Sequence, residues 1–246
     1  CTGAPPMIQT MQAVVPKGHI ALIGEPSRMK VISGHKGSTG FHVHVKGYEV
    51  HSSLLTDGVS AIMEGARLIG WVNDRNAAIQ AAPRGPVGSR FHPPFTTLHV
   101  GVIQGGTAHN ITAADCRFVV EMRCVPDDDI ERHAGDFRNE ALRLDAALKA
   151  RRPEAGVHLE RFFDVSALRP EVNGAAEPLA RALTGENETG VVSYGTEASQ
   201  FQDAGYSAVV CGPGDIAQAH QADEYLEVSE FQAGQRFMER LLERLA

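Results

Sequence analysis

The chain has 246 residues, of which 43% are hydrophobic and 22% are charged. This is the composition of a globular protein that can bury a core as one large domain or two ordinary ones. A net charge of −7 argues against nucleic acid or an anionic membrane surface as the main partner. No apolar stretch approaches the length of a membrane span, and the N-terminus lacks a signal pattern. The four cysteines show no close pairing, which favours reduced thiols in a cytoplasm.

Three elements are predicted before residue 82. The apolar run at residues 19–23 predicts a buried strand that ends at Gly24. Apolar residues then alternate with polar ones over residues 41–45, which is the period of a half-buried strand. A helix follows, and Thr56 and Asp57 are its candidate N-caps. Its predicted buried positions are Val59, Ile62, Ala66, Ile69 and Val72.

The next part of the chain continues the same sheet. Residues 82–94, rich in proline and glycine, predict a long loop, and strands are predicted at residues 97–103 and 116–123. A second helix begins at three consecutive acids, residues 127–129, which suit the positive end of a helix dipole. It stops at Pro153, and a last strand follows. The order strand, helix, strand, strand, helix, strand is that of a ferredoxin-like split βαβ domain. The second helix should bury Ile130, Phe137, Ala141 and Leu148, and the last strand spans residues 157–162.

The pattern changes after Phe163. A short helix is predicted to run from Asn173 and Pro178 through Leu183, and two short strands follow at residues 190–194 and 207–211. Ser229 with Gln232 predicts a capping box for a final helix. We therefore predict that residues 1–34 and 164–246 form one α/β layer, interrupted by residues 35–163. The final helix should bury Phe231, Met238, Leu241 and Leu245.

A few residues suggest chemistry even without a family. His220 follows a buried strand and a Gly-Pro-Gly turn, an arrangement that can direct an imidazole into a cleft where it would suit zinc. A lone loop histidine is nevertheless more often no ligand, and Glu25 by itself is more simply a solvated or N-capping acid. His42 and His44 lie on one face of a strand, as some zinc pairs do, but they more simply form the wet face of the sheet.

Seven short motifs occur in order along the chain. They are Gly24-Glu25-Pro26-Ser27, His35-Lys36-Gly37, Gly47-Tyr48-Glu49-Val50-His51-Ser52-Ser53, Gly105-Gly106-Thr107-Ala108-His109-Asn110, Glu121-Met122-Arg123, Gly195-Thr196-Glu197-Ala198 and the block from Gly212 to Tyr225. Together they resemble the co-catalytic zinc family of acetylornithine deacetylases, succinyl-diaminopimelate desuccinylases, aminoacylases and glutamate carboxypeptidases. The sequences of the last two motifs most resemble those of the acetylornithine deacetylases. The resemblance spans essentially the whole chain.

The resemblance implies a fold and a reaction. The fold class is α/β: a zinc-peptidase-like catalytic domain in residues 1–34 and 164–246, interrupted by a ferredoxin-like α+β lid and dimerisation domain in residues 35–163. The implied enzyme is a cytoplasmic homodimer that removes the acetyl group from N2-acetylornithine in arginine synthesis. It would use two zinc ions per complete subunit, with cobalt as an alternative metal.

The resemblance also implies roles for seven residues. Glu25 would bind the first zinc and His220 the second, and His51 would reach across the dimer to the oxyanion. The remaining four would bind substrate, although Arg123 could instead form a sheet-edge salt bridge and Glu197 could be a solvated loop charge. His51 could likewise be a hydrogen-bonded loop histidine. The substrate-binding set is Asn110, Arg123, Thr196 and Glu197.

The chain also departs from the family pattern. The family carries a His-x-Asp pair, a bridging Asp and a Glu-Glu pair upstream of the segment that matches residues 1–4, and none of these is present. We therefore expect a fragment that is inactive by itself and exposes apolar surface on residues 1–34 and 164–246. Two alternatives stay open: a dizinc deacylase for acetylcitrulline or succinyl-diaminopimelate, and a non-catalytic dimerisation or ligand-binding piece.

Overall fold

The computed structural model describes residues 2–246, so Cys1 lies outside the described part. The chain divides into two compact units. The first unit contains the chain up to Lys36, Arg90–His92 and Val165–Ala246, and the second contains Gly37–Ser89 and Pro93–Asp164. Residues 90–92 belong to the first unit because of hydrogen bonds such as the one that the Ser193 hydroxyl donates to the His92 carbonyl, at 2.7 Å.

Helices and strands alternate along most of the chain. The strands are β1 (Ile20–Ile23), β2 (Ile32–His35), β3 (Gly37–Lys46), β4 (Thr97–Gly105), β5 (Asp115–Cys124), β6 (Gly156–Val165), β7 (Gly190–Val192) and β8 (Ser207–Val210). The α-helices are α1 (Ala4–Val14), α2 (Ala61–Ala81), α3 (Ile130–Arg151), α4 (Ala176–Thr184), α5 (Ala198–Asp203) and α6 (Val228–Leu245). Short 3₁₀ helices cover Ser52–Asp57, Gly88–Arg90 and Ile216–Gln218.

The second unit is built on a four-stranded sheet in the order β4-β5-β3-β6. Strand β5 pairs antiparallel with both β3 and β4. With α2 and α3 between the strands in sequence, this is the predicted ferredoxin-like arrangement, and that prediction is confirmed. The alternating residues of β3 turn one face toward the helices and bury it in a continuous core. That core includes Phe41, Val43, Val45, Leu68, Val72, Val120, Met122, Phe137 and Leu148.

Helix α2 begins later than predicted. Ser60 is its N-cap, whereas Thr56 and Asp57 belong to a separate 3₁₀ helix. The helix cannot start earlier because Val59 exchanges backbone hydrogen bonds with Tyr48, at 2.8 and 3.0 Å, and is therefore extended. Val59 and Val72 are buried as predicted and Ile69 packs partly buried against the core, but the predicted burial of Ile62 and Ala66 is wrong. Ile62 and Ala66 are exposed and Ile69 is half-buried, while Ala61, Glu64, Gly65, Leu68 and Val72 are buried.

Helix α3 begins where its acids predict. The Asp129 carboxylate accepts hydrogen bonds from the backbone N–H groups of Glu131 and Arg132, at 2.9 and 3.1 Å. Such a contact satisfies donors that have no partner within the helix. The helix ends at Arg151, just before Pro153. Of the predicted buried residues, Phe137, Ala141 and Leu148 are buried, and Ile130 is half-buried.

The first unit has its own four-stranded sheet, in the order β1-β8-β2-β7. Strand β1 runs parallel to β8, and β2 runs parallel to β7, with one antiparallel pair between Ile32 and Val210. Successive residues of β8 serve opposite faces of this sheet. Ala208 and Val210 join a cluster with α1 and α5, while Val209 joins a cluster with α4 and α6.

Helix α6 differs from its prediction in two respects. Glu227 is its N-cap and no side chain caps it, so the predicted Ser229 capping box is wrong. The predicted apolar stripe is also displaced, because Phe237 is the buried residue and Leu241 is half-buried. Apolar side chains remain exposed on α6 and α1, as expected for this part of the chain. They include Met7, Val14, Phe231, Met238, Leu242 and Leu245.

Within residues 2–246, none of the helices combines the length and the apolar character that crossing a bilayer requires.

Candidate functional site

The loop after β1 is fixed against the loop after β8. The backbone N–H groups of Ser27 and Met29 donate to the carbonyl of Gly212, at 3.1 and 2.9 Å. The Gly212 N–H in turn donates to the Ser27 hydroxyl, at 3.1 Å. A Cβ on Gly212 would lie 2.4 Å from the carbonyl oxygen of Gly24, so only glycine fits here. The two loops that carry Glu25 and His220 therefore leave the sheet side by side.

Glu25 forms a carboxyl pair with Glu197. Burial raises the pKa of Glu25, and the charge of Glu197 and a hydrogen bond to its carboxyl raise that pKa further, whereas His220 opposes the shift. Two neighbouring carboxyls disfavour each other's charged form, which is why Glu197 adds to the rise in the pKa of Glu25. Burial, followed by the charges of Glu25 and Asp215, also raises the pKa of Tyr194. The structure thus brings Glu25, Glu197 and His220 into one acidic site.

His35 holds the segment that carries Glu197 by a hydrogen bond to Thr196. No role was predicted for His35 from the sequence. It is fully buried, and its Nε2 accepts the backbone N–H of Thr196 at 3.3 Å. Its Nδ1 then carries the hydrogen and donates to the Lys36 carbonyl at 2.9 Å. Burial lowers the pKa of His35, which keeps the imidazole neutral. The motif His35-Lys36-Gly37 was the only sequence signal for this contact.

Thr196 and Glu197 both have partners inside the protein. Thr196 is buried, and its hydroxyl accepts the N–H of Ala198 at 3.1 Å, at the start of α5. The Glu197 carboxyl is engaged with Glu25. To bind a substrate side chain as predicted, Glu197 would therefore have to give up at least its contact with Glu25.

His220 is exposed and has a positive φ of 62°. Its backbone N–H donates to the Glu224 carboxylate at 3.2 Å. A non-glycine residue in this region of backbone space is strained and persists only when its surroundings hold it there. Glu224 supplies one such contact for the loop that presents the His220 side chain.

Within residues 2–246, Glu25 and His220 lack the further metal-binding side chains that would complete a metal centre. Within the described residues there is no group of three or more His, Cys, Asp or Glu side chains that could hold a metal ion. Catalytic zinc sites normally use three protein ligands, so Glu25 and His220 alone do not fit a complete zinc centre. The His42 and His44 pair is otherwise engaged: His44 lies 2.5 Å from Asp115, and His42 stacks on Phe162 with ring centres 4.1 Å apart.

In the second unit, His51 and Asn110 lie together. Ser52 donates its backbone N–H to the Asn110 carbonyl at 2.8 Å, and His51 pairs with Ile111. The Nδ1 atom of His51 accepts the backbone N–H of Ser53 at 3.3 Å, and the Ser53 hydroxyl lies 2.8 Å from it. In the neutral ring the hydrogen is then on Nε2. His51 is exposed, so this N–H is available as a donor.

Arg123 lies at the opposite end of β5 from Asn110. It is eight residues after Asp115, where β5 begins, which corresponds to about 26 Å along an extended strand. Its guanidinium pairs with Glu121 on the same strand. The structure therefore does not bring Asn110 and Arg123 together within one copy of this unit.

Comparison with known proteins shows what this chain is similar to. Residues 33–147 match the family model of the M20 peptidase dimerisation domain. The chain is also 35% identical to an acetylornithine deacetylase from Myxococcus xanthus over 236 residues, which cover 93% of this chain and 57% of that protein. These matches show that the chain is similar to the M20 peptidase dimerisation domain and to acetylornithine deacetylases. An acetylornithine deacetylase from Edwardsiella ictaluri is 32% identical over 212 residues, covering 83% of this chain and 51% of that protein. The chain thus spans somewhat more than half the length of these curated relatives.

Solved structures support the fold at lower sequence identity. A tripeptidase from Staphylococcus aureus superposes with a TM-score of 0.71 at 16% identity, covering 96% of this chain and 60% of that one. A di-peptidase from Saccharomyces cerevisiae superposes with a TM-score of 0.66 at 16% identity, covering 95% and 60% of the two chains. At this identity the comparison shows the shared fold and nothing about substrate.

Proposed function

We propose that this chain is part of an enzyme that hydrolyses the acetyl amide of N2-acetylornithine to ornithine and acetate, a step of arginine synthesis. The observation that carries the proposal is the similarity to relatives named acetylornithine deacetylase over nearly the whole chain. The convergence of Glu25, Glu197 and His220 next to the strand ends supports it, because amide hydrolysis needs proton-transferring and polarising groups in one place.

Zinc belongs to the proposal for a complete subunit only. Two zinc ions would supply the activated water of such a site. The residues described here would contribute Glu25 to one ion and His220 to the other, and by themselves they do not fit a complete centre.

His51 is proposed as the donor that stabilises the oxyanion, acting in the active site of a second subunit. Its Nδ1 accepts from Ser53, which leaves the exposed Nε2–H free to donate to the negative oxygen that develops on the acetyl carbonyl. The match to a dimerisation domain supports the second subunit.

The two ends of β5 give a further argument for a dimer. Asn110 and Arg123 are proposed to bind substrate, Arg123 through the α-carboxylate that suits its planar fork. An acetylated amino acid is much shorter than the roughly 26 Å that separates the ends of this strand. A substrate held by both residues would therefore take Asn110 from one subunit and Arg123 from the other. Arg123 would exchange its Glu121 partner for substrate.

Glu197, with Thr196 beside it, is proposed to read the ammonium of the ornithine side chain. Another acylated amino acid would be favoured if Glu197 stayed paired with Glu25, since a neutral side chain needs no acid there. A non-catalytic role is the second candidate for residues 1–246 alone. The dimerisation-domain match favours it, and so does the finding that residues 2–246 contain no group of three or more potential metal ligands.

The test measures zinc content and acetylornithine hydrolysis on one purified sample, with intact mass as the identity control. A sample of 26.4 kDa should hold less than one zinc per chain and show no turnover. A longer polypeptide that contains this chain should hold about two zincs and hydrolyse acetylornithine. A longer, zinc-loaded polypeptide that hydrolyses acetylcitrulline or succinyl-diaminopimelate but not acetylornithine would contradict the proposed substrate.

A further inference from the structure

The loop that carries His51 buries little of its own surface. We call residues 48–59 the His51 loop. Its residues 51–57 are all exposed, and Leu54 and Leu55 are 54% and 49% exposed. The two ends of the loop are joined by the backbone hydrogen bonds between Tyr48 and Val59. Apart from Val59, which is buried in the core, apolar packing contributes little to the position of His51, so hydrogen bonds must supply most of it.

The segment at residues 110–112 holds the first half of the loop. The Thr112 hydroxyl donates to the Tyr48 carbonyl at 2.8 Å and accepts the N–H of Val50 at the same distance. Ser52 donates its N–H to the Asn110 carbonyl at 2.8 Å. These contacts end at Ser52, the first residue of the 3₁₀ helix, so they do not reach residues 53–57.

Two arginines at the end of α3 hold the second half. The Nε and one terminal nitrogen of Arg152 donate to the Asp57 carbonyl, at 3.0 and 2.6 Å. Its guanidinium also lies over the ring of Tyr48, 4.6 Å from the ring centre. Arg151 donates to the Gly58 carbonyl at 3.4 Å. Arg152 thus contacts both ends of the His51 loop at once.

A nearly buried carboxylate orients Arg151. Glu64 of α2 is 8% exposed and accepts from Arg151 at 2.7 Å and from Arg67 at 2.9 Å. A carboxylate in such a place has to stay paired, because an isolated buried charge is costly. Cations at a helix C-terminus are favourable in any case. The helix dipole does not, however, account for contacts to the carbonyls of Asp57 and Gly58 in a different segment.

We propose that Arg152, assisted by Arg151 and Glu64, is a positioning residue for His51. The arginine closes the His51 loop so that Nδ1 of His51 stays on Ser53 and Nε2–H points outward. The inference rests on the proposed role of His51, but the order of the loop can be measured independently of any reaction.

Amide hydrogen exchange on the 246-residue chain tests the loop directly. The variants are Arg152→Ala and Arg152→Lys, with Arg143→Ala as a control on the same helix, where Arg143 is 74% exposed and pairs with Glu140. Exchange is read at the loop amides of Leu54 and Gly58, which donate to His51 and Leu55. The amides of β3 and β5 report whether the unit stays folded.

In Arg152→Ala the loop amides should exchange about tenfold faster or more, while β3 and β5 stay protected. Arg152→Lys should recover part of this protection because it keeps a charge over Tyr48 and one donor for Asp57. Arg143→Ala should match the unaltered chain. Unchanged exchange at Leu54 and Gly58 in Arg152→Ala would overturn the proposal.

Activity supplies the second readout. In a preparation that contains this chain and hydrolyses acetylornithine, Arg152→Ala should lower kcat about tenfold or more with little change in KM, and Arg152→Lys should restore part of it. Faster loop exchange with an unchanged kcat would overturn the positioning role. If no such preparation hydrolyses acetylornithine, the proposed function fails, and the exchange data still decide whether Arg152 orders the loop.

Discussion

The two units cover their sheets in different ways. The second unit packs α2 and α3 against its sheet and buries one continuous core around Phe41 and Phe137. The first unit divides its buried apolar residues between two smaller clusters. Both units expose some large apolar side chains, such as Val102 and Ile103 in the second, but in the first unit they concentrate on α1 and α6. The second unit therefore has the features of an independent domain, whereas the apolar surface of the first remains without cover among the described residues.

The largest expected effect concerns the core of the second unit. Phe137 is fully buried and its ring centre lies 5.7 Å from those of Phe41 and Trp71. Phe137→Ala should lower the free energy of unfolding by about 3–5 kcal/mol. Trp71 is the single tryptophan, so its fluorescence in a urea titration reports on this unit. Leu142→Ala lies on the exposed face of α3, the helix that carries Phe137, and should change the free energy of unfolding by less than about 0.5 kcal/mol. Equal losses in the two variants would show that this core does not hold the unit.

A middle-sized effect is expected in the first unit at His35. His35→Gln should cost about 1–3 kcal/mol at pH 7.5, because the buried partners on Lys36 and Thr196 lose well-placed contacts. Hydrogen exchange of the β1 and β8 amides, corrected for intrinsic rates, would measure this loss of stability. Phe201→Leu, at a half-buried position packed in the same cluster, serves as the control and should cost less.

The pH dependence sharpens this second test. The folded pKa of His35 lies below its ordinary value of 6.5, so the unfolded chain binds the proton more readily. The stability that His35 contributes is therefore present above pH 6.5 and is lost as the pH falls below it. The gap between the unaltered chain and His35→Gln should narrow from pH 7.5 to pH 5.5. A gap that widened would show that the imidazole is charged in the fold.

The smallest effect on stability is expected on α6. Leu242 is 63% exposed, so Leu242→Glu should change the free energy of unfolding by less than about 0.5 kcal/mol. It should nevertheless reduce concentration-dependent light scattering, because it places a charge in an exposed apolar face. Leu142→Glu in the second unit alters an exposed leucine outside that face and should leave scattering unchanged. Equal scattering from both variants would contradict the proposed difference between the units.

Local sequence patterns were sufficient for much of the second unit. The alternation at residues 41–45 and the acids before α3 act within a few residues, and both predictions are confirmed. The start of α2 was missed because the pairing of Val59 with Tyr48 is a contact outside the helix. Helix α1, strand β2 and helix α5 were not anticipated, since they are short or lack a strong pattern of their own.

In the candidate site, too, some features could be predicted from neighbouring residues and others depend on contacts between distant parts of the chain. The position of Glu25 after a strand and of His220 after a Gly-Pro-Gly turn followed from neighbouring residues. The pairing of Glu25 with Glu197 did not, because it joins the loops after β1 and β7. The support of Thr196 by His35 did not follow either, because the motif His35-Lys36-Gly37 marks the position but not the buried, neutral ring.

By itself, the sequence determined the family resemblance, the order of elements in the second unit and the residue types available for chemistry, because these depend on local periodicity and short motifs. Only the tertiary structure decided which helix faces are buried and which carboxyls lie side by side. It also decided that Arg152 holds the loop of His51. Those outcomes depend on contacts between residues far apart in the chain, which pattern and propensity do not encode.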